Sequence, residues 1–186
     1  RDPDYLKRIL DAGAQAVMIP MIETAEQAQA AVVACRYPPL GSRGCAAGLI
    51  RASGYGAAKE YIGDAADELF IALQVESIKG VDNAAEIAAV DGVNMIFIGA
   101  NDLSGSCGML SQYGRSEVVI QIERCATATR ATGKALGTIP RPDRDCAELV
   151  KDGFLMVAGS SDTTLFRDAA KAEIAEFHEA LAKQSK

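Results

Sequence analysis

The feature that most constrains the fold of this chain is a short apolar run that recurs along it. Each run has the length of a β-strand and is hydrophobic on both faces, as parallel strands are when helices cover their sheet. The runs occupy residues 16–22, 69–75, 94–99, 134–139 and 154–159. Because segments with helical character lie between them, the sequence predicts an α/β fold built on a parallel sheet.

The predicted helices have recognisable start and stop signals. Asp2 followed by Pro3 predicts the start of the first helix, and Gly13 predicts its end. Thr24 and Gln27 have capping-box spacing at the start of the next helix. Glycines that separate a helix from the following strand are expected to form left-handed caps, namely Gly92, Gly133 and Gly153.

Two architectures accommodate this alternation, an open doubly wound sheet and part of a (β/α)8 barrel. A barrel typically needs eight strands and about 250 residues, whereas this chain has 186 residues. The chain enters a helix at once and without a methionine, so we expect upstream sequence to be missing. Residues 1–186 are then a single domain, the C-terminal part of a TIM barrel that lacks roughly its first three βα units.

Composition restricts the partners and the cellular location. The formal net charge is −6 and no basic cluster is present, which argues against a nucleic-acid partner. No apolar run approaches the length of a membrane span. The five cysteines are odd in number and widely spaced, at positions 35, 45, 107, 125 and 146. That spacing predicts reduced thiols and a cytoplasmic protein rather than a disulfide framework or a zinc site.

Residues 36–56 form a long connection without helical periodicity. The segment contains two prolines, five glycines and three arginines. Long loops within compact domains tend to be functional. A glycine-rich surface excursion is one interpretation, and a loop on the substrate side or at a subunit contact is the one we favour.

The C-terminal residues 161–186 are predicted to form a terminal helix. Its apolar positions exceed what one barrel-facing side needs, and they are Leu165, Phe166, Ala169, Ile174, Phe177 and Leu181. The alternative is a last barrel helix with a frayed tail. We expect instead that this helix packs against another subunit in a homo-oligomer.

Polar side chains follow two successive predicted strands. Parallel α/β folds place ligands at the carboxyl ends of their strands. Gln74 and Glu76 end one strand, and their two-residue spacing points both to one side. Asn101 and Asp102 follow the next strand. Because neighbouring strands lie about 4.8 Å apart, Glu76 and Asp102 are predicted to converge on one Mg²⁺ or Mn²⁺ ion.

Each carboxylate also has an ordinary structural explanation. Asp102 could cap the turn that begins at Leu103, and Glu76 could lie beside the cap of the following helix. The occurrence of both on successive strands, with Gln74 on the same side, favours a metal site.

Other catalytic chemistries lack their residues. A Schiff-base aldolase needs a lysine in a pocket, but Lys134 lies at the amino end of its strand and Lys79 lies within a helix. A serine triad needs a histidine, and the only one is His178, in the polar terminal helix. No dinucleotide or Walker motif is present. Cys107 has no base in its sequence neighbourhood, so we interpret it as a buried small thiol.

Four segments together resemble the HpcH/HpaI family of metal-dependent pyruvate aldolases, the group that includes macrophomate synthase. They are DAGAQAVMIPMIETAEQA at 11–28, RYPPLGSRG at 36–44, QVES at 74–77 and FIGANDLS at 97–104. The resemblance extends from Asp2 to about Ala170. It implies a (β/α)8 barrel in which this chain supplies the latter five strands, and a terminal helix that takes part in oligomer contacts.

The resemblance also implies roles for individual residues. Glu76 and Asp102 match the two carboxylates that hold the divalent metal in the family, and Gln74 matches the glutamine beside them. The backbone around that aspartate receives the carboxylate of pyruvate, which here implies the amides of Asn101 and Asp102.

Two departures from the family pattern bear on catalysis. The family commonly has Gly-Pro-Ala-Asp where this chain has Gly99, Ala100, Asn101 and Asp102, so the floor of the substrate pocket differs. The base-assisting histidine and the enolate-stabilising arginine of the family lie on earlier strands, and Arg1 does not match that arginine. Both groups are therefore expected outside this chain.

The activity implied by the resemblance is carbon–carbon lysis by a class II aldolase. A 2-keto acid would be cleaved, or formed with an aldehyde, through a metal-bound pyruvate enolate. The alternatives are an oxaloacetate decarboxylase, an acyl-CoA lyase of the same superfamily, or a truncated barrel without catalysis. The 186 residues alone are expected to be inactive because the base and the arginine lie outside them.

Overall fold

A computed structural model describes residues 1–184 of the chain. The strands are β1 (Ala16–Ile19), β2 (Phe70–Val75), β3 (Met95–Ile98), β4 (Ala135–Thr138) and β5 (Met156–Val157). The helices are α1 (Pro3–Asp11), α2 (Ala25–Cys35), α3 (Tyr61–Asp64), α4 (Ile78–Asp82), α5 (Ala84–Ala89), α6 (Ala100–Ser106), α7 (Ser116–Arg130), α8 (Cys146–Lys151) and α9 (Asp162–Gln184).

The order of the strands distinguishes the two architectures that the sequence allowed. All five strands are parallel, and they lie side by side in chain order from β1 to β5. A doubly wound sheet reverses its strand order at a switch point, whereas a barrel adds each strand to the same side of the previous one. The described sheet is therefore a parallel half-barrel, and the doubly wound alternative is wrong.

The two faces of the sheet differ in composition. Side chains of the helix-covered face belong to the main core, and they include Ile71, Leu73, Ile96 and Leu136. The register places Ala72 beside Met95, and Phe97 beside Gly137, on the opposite face. This inner face is tightly packed around Gly137, where an added Cβ would lie 2.7 Å from Phe97 Cδ2 and 3.0 Å from Met95 Sδ.

Most of the local helix signals are confirmed. The Asp2 side chain accepts hydrogen bonds from the N–H groups of residues 4 and 5, and Pro3 begins α1. The predicted glycines all have positive φ values, which are 102° at Gly13, 91° at Gly92, 74° at Gly133 and 90° at Gly153. Gly13 and Gly153 directly follow the C-cap residues of α1 and α8, whereas Gly92 and Gly133 lie two residues beyond the C-caps of α5 and α7 and are not caps. Thr24 accepts from the Gln27 N–H, but the Gln27 side chain accepts from Glu23 rather than from Thr24. The predicted capping box is therefore only half formed.

Most predicted strands are longer than the observed ones. The run at 16–22 ends as a strand at Ile19, because Pro20 has no N–H and Met21 has a left-handed φ of 57°. The runs at 94–99 and 134–139 each lose a residue at both ends. The last run contributes only the two residues of β5. Hydrophobicity continues past the hydrogen-bonded ladder in each case, so it overestimates strand length.

The long connection after α2 is anchored at the amino ends of the strands. Arg43 is buried there, and its Nη2 donates to Asp11 Oδ1 at 2.7 Å and to the Tyr61 hydroxyl at 3.2 Å. The guanidinium also lies 4.4 Å from the centroid of the Tyr37 ring. Asp11 and Tyr61 precede β1 and β2, so this part of 36–56 lies away from the carboxyl ends of the strands. The expectation of a substrate-side loop is not supported within this chain, and a subunit contact stays a prediction.

The terminal helix α9 runs for 23 residues, and none of its described residues is buried. Its apolar side chains include Phe166 at 80% and Phe177 at 61% exposure. The predicted helix extended to residue 186, and its last two residues lie outside the described part of the chain. Within residues 1–184, no helix combines the length and the apolar character that a bilayer crossing requires.

Candidate functional site

Glu76 directly follows β2 and is the most enclosed of the predicted site residues that carry charge. Only 4% of its surface is exposed. The Met21 N–H donates to Glu76 Oε1 at 2.9 Å, and Gln74 Nε2 donates to Glu76 Oε2 at 2.5 Å. The predicted common side of Gln74 and Glu76 is confirmed, and both carboxylate oxygens are held in place.

Asp102 lies in α6, the helix that follows β3, and β3 is the strand beside β2. Asp102 is exposed in the first turn of α6, which begins directly after β3. Burial raises the pKa of the Glu76 carboxyl, hydrogen bonds from Met21 and Gln74 lower it, and the negative charge of Asp102 raises it. The net direction is upward. The paired register of β2 and β3 places the residues that follow these strands, Glu76 and the start of α6, at the same edge of the sheet.

The capping explanations of the two carboxylates have different outcomes. The N-cap of α6 is Gly99, and Asp102 lies inside the helix, so the interpretation of Asp102 as a cap is wrong. Ser77 is the N-cap of α4 and accepts from the Gly80 N–H, which places Glu76 beside a cap as that interpretation required. Among residues 1–184, no lysine or arginine forms an ion pair with Glu76.

The turn after β1 takes part in the site although no sequence signal identified it. Met21 adopts φ = 57°, a conformation uncommon for a residue with a side chain. That turn aims the Met21 N–H at Glu76, while the Met21 carbonyl accepts from Arg1 Nη1 at 2.9 Å. A glycine or asparagine would have marked such a turn in the sequence, and methionine does not.

Glu23 is a second acidic residue that the sequence analysis did not single out. Its Oε1 accepts from the Ser77 hydroxyl at 2.7 Å, and its Oε2 lies 3.6 Å from Lys79 Nζ. The Ser77 hydrogen bond lowers the pKa of Glu23 and, with the charge of Lys79, outweighs the effect of burial. Glu23 therefore stays ionised and ties the β1 turn to the residue that follows Glu76.

The remaining predicted substrate residues lie at the start of α6. Ala100 is buried and Asn101 is exposed. The Leu103 N–H donates the first helical hydrogen bond, to the Gly99 carbonyl at 3.0 Å. The N–H groups of residues 100–102 thus precede the first bond of this helix.

Residues that the sequence assigned to no catalytic role lie where expected, with one exception. His178 is exposed on α9. Lys134 directly precedes β4, where its Nζ donates to the Val93 carbonyl at 2.7 Å. Cys107 was predicted to be buried, but it is only half-buried because it ends α6 at the surface. The partial burial raises the pKa of its thiol, which disfavours a thiolate nucleophile.

The donor set around Glu76 suits a hard divalent cation with few protein ligands. Within the described residues, no group of three or more His, Cys, Asp or Glu side chains is placed to hold a metal ion. Glu76 and Asp102 stay the two carboxylates predicted as ligands. Mg²⁺ and similar ions commonly bind through one or two carboxylates and keep their other positions for water or substrate.

Comparisons with known proteins give a consistent result over nearly the whole chain. The sequence model of the HpcH/HpaI aldolase/citrate lyase family matches residues 1–169. A hydroxypyruvate/pyruvate aldolase of Chromohalobacter salexigens is 43% identical over 176 residues, which are 95% of this chain and 69% of that protein. A 2-keto-3-deoxy-L-rhamnonate aldolase of Klebsiella pneumoniae is 40% identical over 92% of this chain and 64% of its own length.

A solved structure extends the comparison to three dimensions. A HpcH/HpaI aldolase/citrate lyase family protein from Burkholderia cenocepacia superimposes with a TM-score of 0.87 at 32% identity. The match covers 95% of this chain and 70% of the other. The chain thus spans about two thirds of the length of these relatives.

Proposed function

The chain belongs to the HpcH/HpaI aldolase/citrate lyase family, and from that premise we propose that it carries the metal-holding part of a class II aldolase. The reaction is cleavage of a 2-keto acid aldol to pyruvate or a related keto acid and an aldehyde, or its reverse. Relatives named as hydroxypyruvate/pyruvate and 2-keto-3-deoxy-L-rhamnonate aldolases support this substrate class. The observation that carries the proposal is the buried Glu76 carboxylate, hydrogen-bonded at both oxygens, with Asp102 in the helix that follows the neighbouring strand.

Each residue of the site has a distinct role in this proposal. Glu76 and Asp102 would hold the divalent cation, Mg²⁺ or Mn²⁺. A bound cation would supply Lewis-acid stabilisation of the charge that develops on the keto oxygen of the substrate. Gln74 and the Met21 amide orient Glu76 through its two oxygens. Such outer contacts restrict a ligating carboxylate to one orientation.

The start of α6 would bind the other end of the keto acid. Gly99 and Ala100 lie at the junction of β3 with this helix. The backbone amides of Asn101 and Asp102 would donate to the substrate carboxylate, since these N–H groups precede the first helical hydrogen bond. This role rests on the family resemblance.

The proposed whole fold is a (β/α)8 barrel in which β1–β5 are the latter five strands. Sequential parallel order supports it. The base and the enolate-stabilising arginine are proposed to lie on the other strands. A homo-oligomer and a cytoplasmic location stay predictions.

The central experiment removes the charge of one proposed ligand at a time. Glu76→Gln and Asp102→Asn in the intact protein should each abolish turnover that depends on Mg²⁺ or Mn²⁺, because a neutral amide is a poor ligand for a hard cation. Circular dichroism should show an unchanged fold. Parallel assays with a keto-acid aldol and with oxaloacetate would separate aldolase from decarboxylase activity. Full activity in either variant, or wild-type activity that is indifferent to a chelator, would contradict the metal assignment.

A further inference from the structure

Gly99 has no room for a side chain, and the atoms that fill the space belong to the site. A Cβ added at residue 99 would lie 2.7 Å from Gln74 Nε2, 2.8 Å from Glu76 Cβ and closer still to Glu76 Oε2. Real Cβ atoms essentially never approach heavy atoms within 3.0 Å. The backbone of Gly99 has φ = −80°, which any residue can adopt. Space, rather than backbone conformation, therefore requires glycine here.

Gly99 is also the backbone link between the two carboxylates. Its N–H donates to the Val75 carbonyl at 3.0 Å, one residue before Glu76. Its carbonyl accepts from Leu103 at 3.0 Å and so begins the helix that carries Asp102. The position of Asp102 relative to Glu76 thus depends on how closely this one residue approaches the end of β2.

The Glu76 carboxylate cannot retreat from a larger residue at 99 without losing its other contacts. Its Oε1 is occupied by the Met21 N–H, and the residue is almost fully enclosed. A displaced carboxylate would leave that N–H without its partner or would break the contact with Gln74. Buried donors that lose a charged acceptor are costly.

We propose that Gly99 is a positioning residue, whose missing side chain lets the Glu76 carboxylate lie against the β3–α6 junction and sets its separation from Asp102. The cation in this inference rests on the proposed function, whereas the position of Glu76 does not. Residue 99 touches no substrate atom in this role. It determines whether the two carboxylates that follow β2 and β3 can share one small cation.

The test compares Gly99→Ala with the matched variant Gly137→Ala. Gly99 follows β3 and Gly137 lies within the neighbouring strand β4. An added Cβ at Gly137 would also come too close to a side chain, 2.7 Å from Phe97 Cδ2, but its neighbours are Phe97 and Met95 rather than site residues. Mn²⁺ affinity is measured in the intact protein by the electron paramagnetic resonance signal of free Mn²⁺, without substrate. G99A should weaken binding about ten- to a hundredfold, the usual effect of losing a contact that orients a ligand. G137A should keep the wild-type affinity within about twofold.

A second readout does not need the metal. The Met21 amide proton reports its hydrogen bond to Glu76, so its NMR shift should move upfield and its exchange should accelerate in G99A but not in G137A. An unchanged Met21 amide in G99A would overturn the proposal, as would an equal loss of Mn²⁺ affinity in both variants. Absence of Mn²⁺ binding by the wild-type protein would instead contradict the proposed function, and the Met21 amide would still decide the role of Gly99.

Discussion

At the scale of single residues, the most enclosed ion pair outside the site joins Arg43 to Asp11. The Arg43 side chain is 3% exposed and the Asp11 side chain 16% exposed. A buried pair of this kind adds little net stability by itself, yet removing one partner leaves an uncompensated charge. The pair therefore fixes the 36–56 connection to the end of α1, which gives Arg43 of RYPPLGSRG a structural role.

The same pair makes a prediction about acid stability. Burial raises the pKa of Asp11, but hydrogen bonds from Arg43 and Lys7 outweigh it, so the pKa lies below its ordinary value of 3.8. A carboxyl with a depressed pKa stabilises the folded state at every pH above its ordinary pKa of 3.8. This stabilisation is lost as the pH falls below 3.8 and through the lower pKa of the folded state. Urea unfolding of wild-type protein should show this loss, and Asp11→Asn should reduce it. In an Arg43→Met background, D11N should change the pH slope less, because only Lys7 then lowers the pKa of Asp11. An equal effect of D11N in both backgrounds would contradict this assignment.

Residue-scale prediction from sequence succeeded where the rule concerns the ends of parallel strands. Gln74 and Glu76 lie at the carboxyl end of β2 and Asp102 lies just after β3, as expected, because a buried strand that ends on a polar side chain is visible in the sequence. Their role at a metal site stays a prediction. The Met21 contact was not predictable, since it depends on a left-handed φ at a residue type that rarely adopts it. The close approach of Gly99 was equally hidden, because contact between two strand ends depends on register and not on spacing within one strand.

At the scale of elements, local signals predicted helix ends better than strand ends. Caps at Asp2, Thr24 and Gly153 depend on the residue itself and its next few neighbours, and they formed. A strand ends where its partner stops pairing, which is a non-local property. The last predicted strand therefore contracted to the two residues of β5, although its sequence is apolar over six.

The element with the clearest missing partner is α9, and it leads to a prediction about assembly. Its described apolar side chains include Leu165, Phe166, Ile174 and Phe177, all more than half exposed. Exposed apolar area of this extent is typical of an interface. We predict that the intact protein sediments as an oligomer at micromolar concentration and that Phe166→Ser with Phe177→Ser shifts it towards the monomer.

The control for α9 changes polar positions of the same helix. Lys171→Gln with Glu176→Gln should leave the sedimentation coefficient unchanged, because both side chains are exposed and polar. A wild-type protein that is monomeric at micromolar concentration would contradict the oligomer. Dissociation of both double variants to the same extent would show that the apolar side chains of α9 do not form the subunit contact.

At the scale of the whole molecule, the half-barrel places the proposed metal ligands well inside the sheet. The strands β2 and β3 each pair on both sides, whereas β1 and β5 are the edges of the described sheet. Unpaired edges invite association between chains. The geometry at Glu76 and Asp102 depends on contacts between β1, β2 and β3, all of which lie within these residues.

Residues 1–186 by themselves are therefore predicted to bind Mn²⁺ weakly and to turn over little or no substrate. Within the described part of the chain, the groups able to move a proton are poorly placed: His178 is exposed on α9, and the pKa of the Cys107 thiol is raised by burial. Lys79 is engaged with Glu23.

Deuterium exchange into the methyl group of pyruvate, measured by NMR with added Mn²⁺, tests proton transfer without requiring an aldehyde. The same assay on E76Q gives the background rate, since that variant lacks a proposed metal ligand. Exchange by the 186 residues at a rate typical of an enzyme, and abolished in E76Q, would show that a base is present among them and that its proposed location on other strands is wrong.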